Sequence, residues 1–203
     1  MGIDTQVIDR VRAAWTRIEE RWAAYDLHLP GSPSFICQAE ACSAHCCKVY
    51  SVSLGERELE RLSRFSGLEP VDLLETENGK PISLPLAQPY LLARDEGRCA
   101  LLGDDLRCSQ YHGRPEACRL YPHFVIFLNE TTGRPVHGEL REMSASMRML
   151  LEGEQPEPYL PLLLRHIECP GFTGPPLPAD AWHQLAEETF RLQYLPMQEL
   201  KWR

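Results

Sequence analysis

Four cysteines within eleven residues, Cys37, Cys42, Cys46 and Cys47, constrain this chain more than any other feature. The residues between them include Gln38, Glu40, Ser43 and His45. Such a polar segment has no packing reason to carry four thiols, although an isolated free cysteine is often a small buried hydrophobe. Four more follow: Cys99, Cys108, Cys118 and Cys169. The opening residues, Met1 to Gln6, lack the apolar core of a signal peptide. Gln6 also stands where a myristoylation pattern wants Ser or Thr. No run approaches the roughly 18 to 20 apolar residues that span a bilayer. The expected setting is therefore cytoplasmic, where thiols stay reduced and clustered ones serve as metal ligands or catalytic groups.

The spacing narrows the metal. A zinc ribbon needs two Cys-x2-Cys knuckles, and the sequence has none. Neighbouring side chains such as Cys46 and Cys47 are expected to diverge, so that both rarely meet one small ion. One of them could ligate while the other packs, or the two could reach different metals or different corners of a cluster. An iron–sulfur or iron site accommodates irregular spacing better. Cys37-x4-Cys42 echoes the first gap of plant-type ferredoxins, and Cys169-Pro170 the Cys-Pro ending of bacterial ones. Zinc is the alternative, with His45, His112 and His123 as further possible ligands. All eight cysteines enter the expected metal-ligand set. Thiolate sites carry negative charge and need nearby donors. Arg107, Arg114 and Arg119 flank Cys108 and Cys118, and at least one is expected to donate to sulfur.

Along the chain, Val7, Val11, Trp15, Ile18, Trp22 and Tyr25 recur at helical spacing and predict one amphipathic helix over 4–26. It reads as a cover for the core rather than a dimerisation seam. Pro30 to Pro33 then marks a linker. Val49–Val52 reads as a short strand. Ser53 with Glu56 reads as a capping box before a helix lined by Leu59, Leu62 and Phe65 and stopped by Gly67. A short helix over 69–75, an irregular stretch over 78–89 and strands at 90–93 and 98–102 follow. Gly103-Asp104 suits a two-residue hairpin turn that would set Cys99 opposite Cys108, with Cβ atoms about 5 Å apart. Pro115 opens and Pro122 closes a helical turn around Cys118. Residues 124–128 form the strongest strand signal, 143–151 a helix, and Asp180 caps a final helix with Trp182, Leu185, Ala186 and Phe190 inside. The expected architecture is α+β. A compact, cysteine-rich, metal-bound core with a small antiparallel sheet is covered by N- and C-terminal helices. The expected divisions are an N-terminal helix (1–30), a cysteine-cluster metal-binding domain (31–175) and a C-terminal helical tail (176–203).

The motif Phe35-Ile36-Cys37, Cys42, Cys46-Cys47, Cys108-x2-Tyr111, Arg114-Pro115-x2-Cys118-Arg119-x2-Pro122 resembles the zinc- or iron-chelating cysteine-cluster family (YkgJ-type, CxxCxxCC), widespread in bacteria. The resemblance runs from about residue 35 to about residue 170. It departs at the first gap, four residues here where the family usually has two. The resemblance implies a metal site but no defined reaction. A larger relative, the flagellin lysine N-methylase, is similar in its cysteine cluster, which implies methyltransferase-like chemistry as one alternative. The Gly-rich strand-to-helix motif that would cradle its cofactor is not found in this sequence.

Three functions therefore compete. One is a metal protein with redox or catalytic chemistry. Another is a zinc-stabilised binding module without chemistry. The last is a small enzyme with a cysteine nucleophile near Tyr111, His112 or His123. Enzyme status is open. The expected partners are the metal ion or cluster and a protein or small molecule of unspecified kind. With 29 acidic against 21 basic residues and a net charge of -8, neither nucleic acid nor membrane is expected.

Overall fold

A computed structural model describes residues 4–85 and 88–194. The protein is mixed α+β, with small antiparallel sheets and short and long helices. The described residues divide into two units, one formed by 4–37 with 122–194 and the other by 38–121.

The first unit is built on a four-stranded antiparallel sheet in the order Tyr25–Leu27, Leu160–His166, His123–Asn129, Arg134–Val136. Its two central strands pair from Leu160↔Leu128 to Arg165↔His123. Each holds five apolar residues in a row, 160–164 and 124–128, the pattern of strands covered on both faces. Helices Thr5–Thr16, Leu140–Glu152 and Ala179–Tyr194 pack on these strands. Val7, Val11, Trp15, Phe127, Leu162 and Trp182 are among the buried residues of this core, and none of those buried residues is a cysteine. The terminal helices therefore cover the sheet as expected, but the core beneath them is hydrocarbon.

The single helix expected over 4–26 is three elements. The helix ends at Thr16, a 3-10 turn covers Glu19–Trp22, and Tyr25–Leu27 is an edge strand. The Arg17 and Ile18 amides turn back early, to the Ala14 and Trp15 carbonyls at 3.3 and 2.8 Å. The apolar repeat continues because Ile18, Trp22 and Tyr25 still face the same core. Periodicity reports what faces the core, and it reads the same across a change of backbone. The final helix begins at Ala179, so Asp180 lies in its first turn rather than at its cap.

The second unit has shorter elements. Helices Ala39–Cys42 and His45–Val49 are followed by strand Ser53–Leu54, which pairs with Tyr90–Leu91. Val49 thus ends a helix instead of starting a strand. Helix Glu56–Ser66 is capped two residues beyond the expected box: the Gly55 amide donates to Glu58 Oε2 at 3.2 Å. Gly67 ends it at φ 70°, as its sequence position suggests. Phe65 is 59% exposed and does not join Leu59 and Leu62 in the core. Pro70–Leu73 is a 3-10 turn. The stretch read as irregular holds a hairpin, Thr76–Glu77 with Lys80–Pro81. A second hairpin pairs Arg94–Asp95 with Arg98–Cys99, and helix Glu116–Leu120 closes the unit. The buried core is Leu54, Leu59, Leu62, Leu73, Leu74, Leu92 and Leu101, with Cys99 and Cys108 packed against it.

Candidate metal centre

Cys42, Cys46 and Cys47 sit on two short helices joined by a backbone kink. Ser43 and Ala44 both adopt left-handed conformations, at φ 50° and 55°. For residues with a Cβ this costs about 1 kcal/mol or more each. The kink stops Ala39–Cys42 and restarts the chain at His45, and the Cys47 amide donates to the Ala44 carbonyl at 3.0 Å. Cys42 Sγ lies 3.6 Å from the Ala39 carbonyl. Cys46 Sγ and Cys47 Sγ, expected to diverge, stand 4.0 Å apart. With a zinc–sulfur bond of about 2.3 Å, two thiolates on one tetrahedral ion lie about 3.8 Å apart. The adjacent pair therefore matches the bite of a single ion.

Arg94 fixes the next thiol. Its guanidinium donates to the Lys48 and Tyr50 carbonyls, each at 2.6 Å, and to the Gly97 carbonyl. It thus clips the end of the helix carrying Cys46 and Cys47 to the hairpin carrying Cys99. The same charge favours the Cys99 thiolate, against a burial that pushes this thiol up. Cys99 pairs with Arg94 rather than with Cys108. Cys108 bridges Leu102, and the expected two-residue turn is a longer loop closed by the Gly103 amide on the Arg107 carbonyl at 2.9 Å. Leu106 at φ 60° and the Asp105 carboxylate, which accepts the Arg107 amide at 3.1 Å, shape that loop.

The thiols of this unit act on one another. Burial, with negative charge on Cys99, Cys108 and Cys46 added to it, pushes Cys118 up to about 12, while Arg114 opposes. Burial raises Cys108, and Arg114 again opposes. Within the adjacent pair the contact between the two sulfurs favours one thiolate at the expense of the other, holding Cys46 low and pushing Cys47 up. Cys99 and Cys118 also raise Cys47. Cys46, Cys47, Cys99, Cys108 and Cys118 thus form one electrostatic group in which each added thiolate makes the next harder to form. A cation relieves all of them at once, so the donor chemistry fits a thiophilic metal. Among the described residues, no three His, Cys, Asp or Glu side chains are already arranged as a ligand group. No disulfide joins Cys42, Cys46, Cys47, Cys99, Cys108 or Cys118.

Of the three arginines singled out by sequence, Arg114 acts on Cys108 and Cys118. Its guanidinium lies 3.8 Å over the Tyr111 ring, and its Nε donates to the Tyr111 carbonyl at 3.0 Å. Arg94, which sequence reasoning missed, performs the corresponding service at Cys99. Its position five residues before that cysteine gives no local signal. Cys37 and Cys169 belong to the sheet unit. There the Ile36 amide donates to the Gly171 carbonyl at 2.7 Å.

The histidines separate. His45 meets Tyr50 edge-on at 6.1 Å, and His112 meets Tyr111 at 5.8 Å. His123 is buried in the sheet unit, 5.3 Å from the buried ring of His28, among Phe35 and Phe172. Both ring nitrogens of His28 and Nε2 of His123 meet no hydrogen-bond partner among the described residues. Burial holds both rings neutral, down to about 4 for His28 and about 3 for His123, and Arg165 adds to this.

A mixed α+β chain with a group of mutually coupled thiols defines a class of cysteine-cluster metal proteins. The family model CxxCxxCC, described as "Putative zinc- or iron-chelating domain", matches residues 36–144. That is more than half of the chain, and the protein belongs to this family. Comparison with curated proteins and with solved structures found no match. No helix among the described residues is long and apolar enough to cross a membrane.

Proposed function

We propose that the cysteine unit holds an iron or iron–sulfur centre through Cys46, Cys47, Cys99, Cys108 and Cys118, with Cys42 as a further donor, and that the centre serves redox or catalytic chemistry. The observation that carries this reading is the mutual charge coupling of five thiols around the 4.0 Å Cys46–Cys47 pair. Five donors exceed what one tetrahedral zinc uses, which favours a cluster or a polynuclear site. Arg94 and Arg114 supply the positive charge that a thiolate-bound centre needs. When bound, the metal would supply Lewis acidity or electron transfer. The chain's own part is to hold the sulfurs, neutralise them and bury them. Cys37, within the matched residues, and Cys169, beyond them, are proposed as metal ligands on their cysteine chemistry alone.

A zinc-stabilised module without chemistry is the second reading, and the small core favours it. Seven buried apolar residues stabilise a unit of this length poorly without a staple. Elemental analysis and an absorption spectrum on protein expressed with ample iron and purified without oxygen decide between the two. The first reading expects a brown protein with thiolate-to-iron charge-transfer bands. A colourless protein with stoichiometric zinc would replace it with the second.

A further inference from the structure

Cys118 lies on a five-residue helix that cannot hold its own position, and the grip on it comes from elsewhere in the same unit. Glu58 is only 8% exposed. Its Oε1 accepts the Glu116 amide at 2.8 Å, the first amide of the Cys118 helix after Pro115, which has none to offer. Its Oε2 accepts the Gly55 amide at 3.2 Å and Gln88 Nε2 at 2.8 Å, so the carboxylate itself is anchored from two other directions. One turn on, Arg61 donates to the Arg114 carbonyl at 3.1 Å and stands 3.9 Å from both the Glu58 and Glu116 carboxylates. A further turn on, Phe65 covers Gly113 so closely that a Cβ built there would stand 2.8 Å from Phe65 Cβ. Positions 58, 61 and 65 share one helix face, and they touch residues 116, 114 and 113 in antiparallel order.

We propose that this face of helix Glu56–Ser66 is a ruler that sets the placement of Cys118 and Arg114, with Glu58 as its central positioning residue. The inference deepens the reading of the cysteine unit as a metal site and rests on it. It also gives physical reasons for two residues ahead of Cys118: Gly113 because Phe65 leaves no room for a side chain, and the motif's Pro115 because the amide after it is capped from outside. The exposed Phe65 ring is held there by this contact rather than by the leucine core.

The test compares Glu58→Ala with Leu62→Ala, which hollows the core under the same helix. In reduced full-length protein as purified, iodoacetamide alkylation is followed cysteine by cysteine by mass spectrometry. Glu58→Ala is expected to accelerate Cys118 at least tenfold over Cys99 and Cys108, with Glu58→Gln between it and wild type. Leu62→Ala is expected to accelerate the three together. Cobalt(II) titration, read by its thiolate charge-transfer bands, is expected to show at least tenfold weaker binding in Glu58→Ala. An unchanged Cys118 rate in Glu58→Ala, or a selective Cys118 effect in Leu62→Ala, overturns the ruler. Wild-type protein that takes up no cobalt(II) counts instead against the metal reading, and the alkylation rates still decide the ruler.

Discussion

The two units reach stability by opposite means. In the sheet unit, two central strands pair over six residues, and large apolar side chains fill the space between sheet and helices. In the cysteine unit the strands are two residues long, the buried core is seven leucines, and the unit carries six cysteines. Hydrophobic burial of about 25 cal/mol per Å2 can carry the first unit. The second leaves its conformational entropy opposed by little besides directional interactions, such as the Arg94 and Glu58 clamps. On the proposed reading, a bound metal would stabilise this unit's fold as well as form its site.

The largest expected effect is metal removal. Hydrogen exchange read by mass spectrometry after chelation should show residues 38–121 losing protection while strands Leu160–His166 and His123–Asn129 keep theirs. Equal loss in both units, or none in either, would break the contrast. The reverse experiment is Phe127→Ala, in the fully buried strand position that meets Phe190 and Tyr194. It should destabilise the sheet unit by about 3–5 kcal/mol in urea unfolding, with metal content per folded chain unchanged.

Acid should also strike the sheet unit. An ordinary histidine titrates near 6.5, whereas folded His28 and His123 refuse a proton until about pH 4 and about pH 3. Below pH 6.5 the unfolded chain therefore binds more protons than the folded one. Stability then falls as pH falls, by up to about 1.4 kcal/mol per pH unit for each ring. It is fully present above 6.5. Urea unfolding between pH 6 and 4 should show a shallower slope in His123→Leu. The smallest effect is local: Gly79→Ala, in a turn at φ 76° with open space around it, should cost about 1 kcal/mol in thermal unfolding and leave metal uptake intact.

What was legible in the sequence follows the same divide. Residues 124–128 announce a strand because a covered strand needs an unbroken apolar run. Gly67 announces a stop because only a left-handed residue closes that helix end. The Asn78-Gly79 turn was equally readable, since both residues take positive φ, yet the surrounding prolines masked it. Strand Leu160–His166 went unread because a proline such as Pro161 argues against a central strand. The Cys99–Cys108 register failed because the Gly103–Arg107 loop closes through Asp105 and a left-handed Leu106, neither of which follows a two-residue turn rule. The thiol group was legible as composition, but its clamps were not. Arg94 and Glu58 act through carbonyls and amides far along the chain, and backbone atoms carry no sequence signal.

X-ray absorption at the edge of the metal that copurifies with the anaerobically prepared protein tests the central claim most directly. The account predicts a first shell dominated by sulfur at about 2.3 Å, diminished in Cys118→Ser. A first shell of oxygen and nitrogen, unchanged by that substitution, would contradict it.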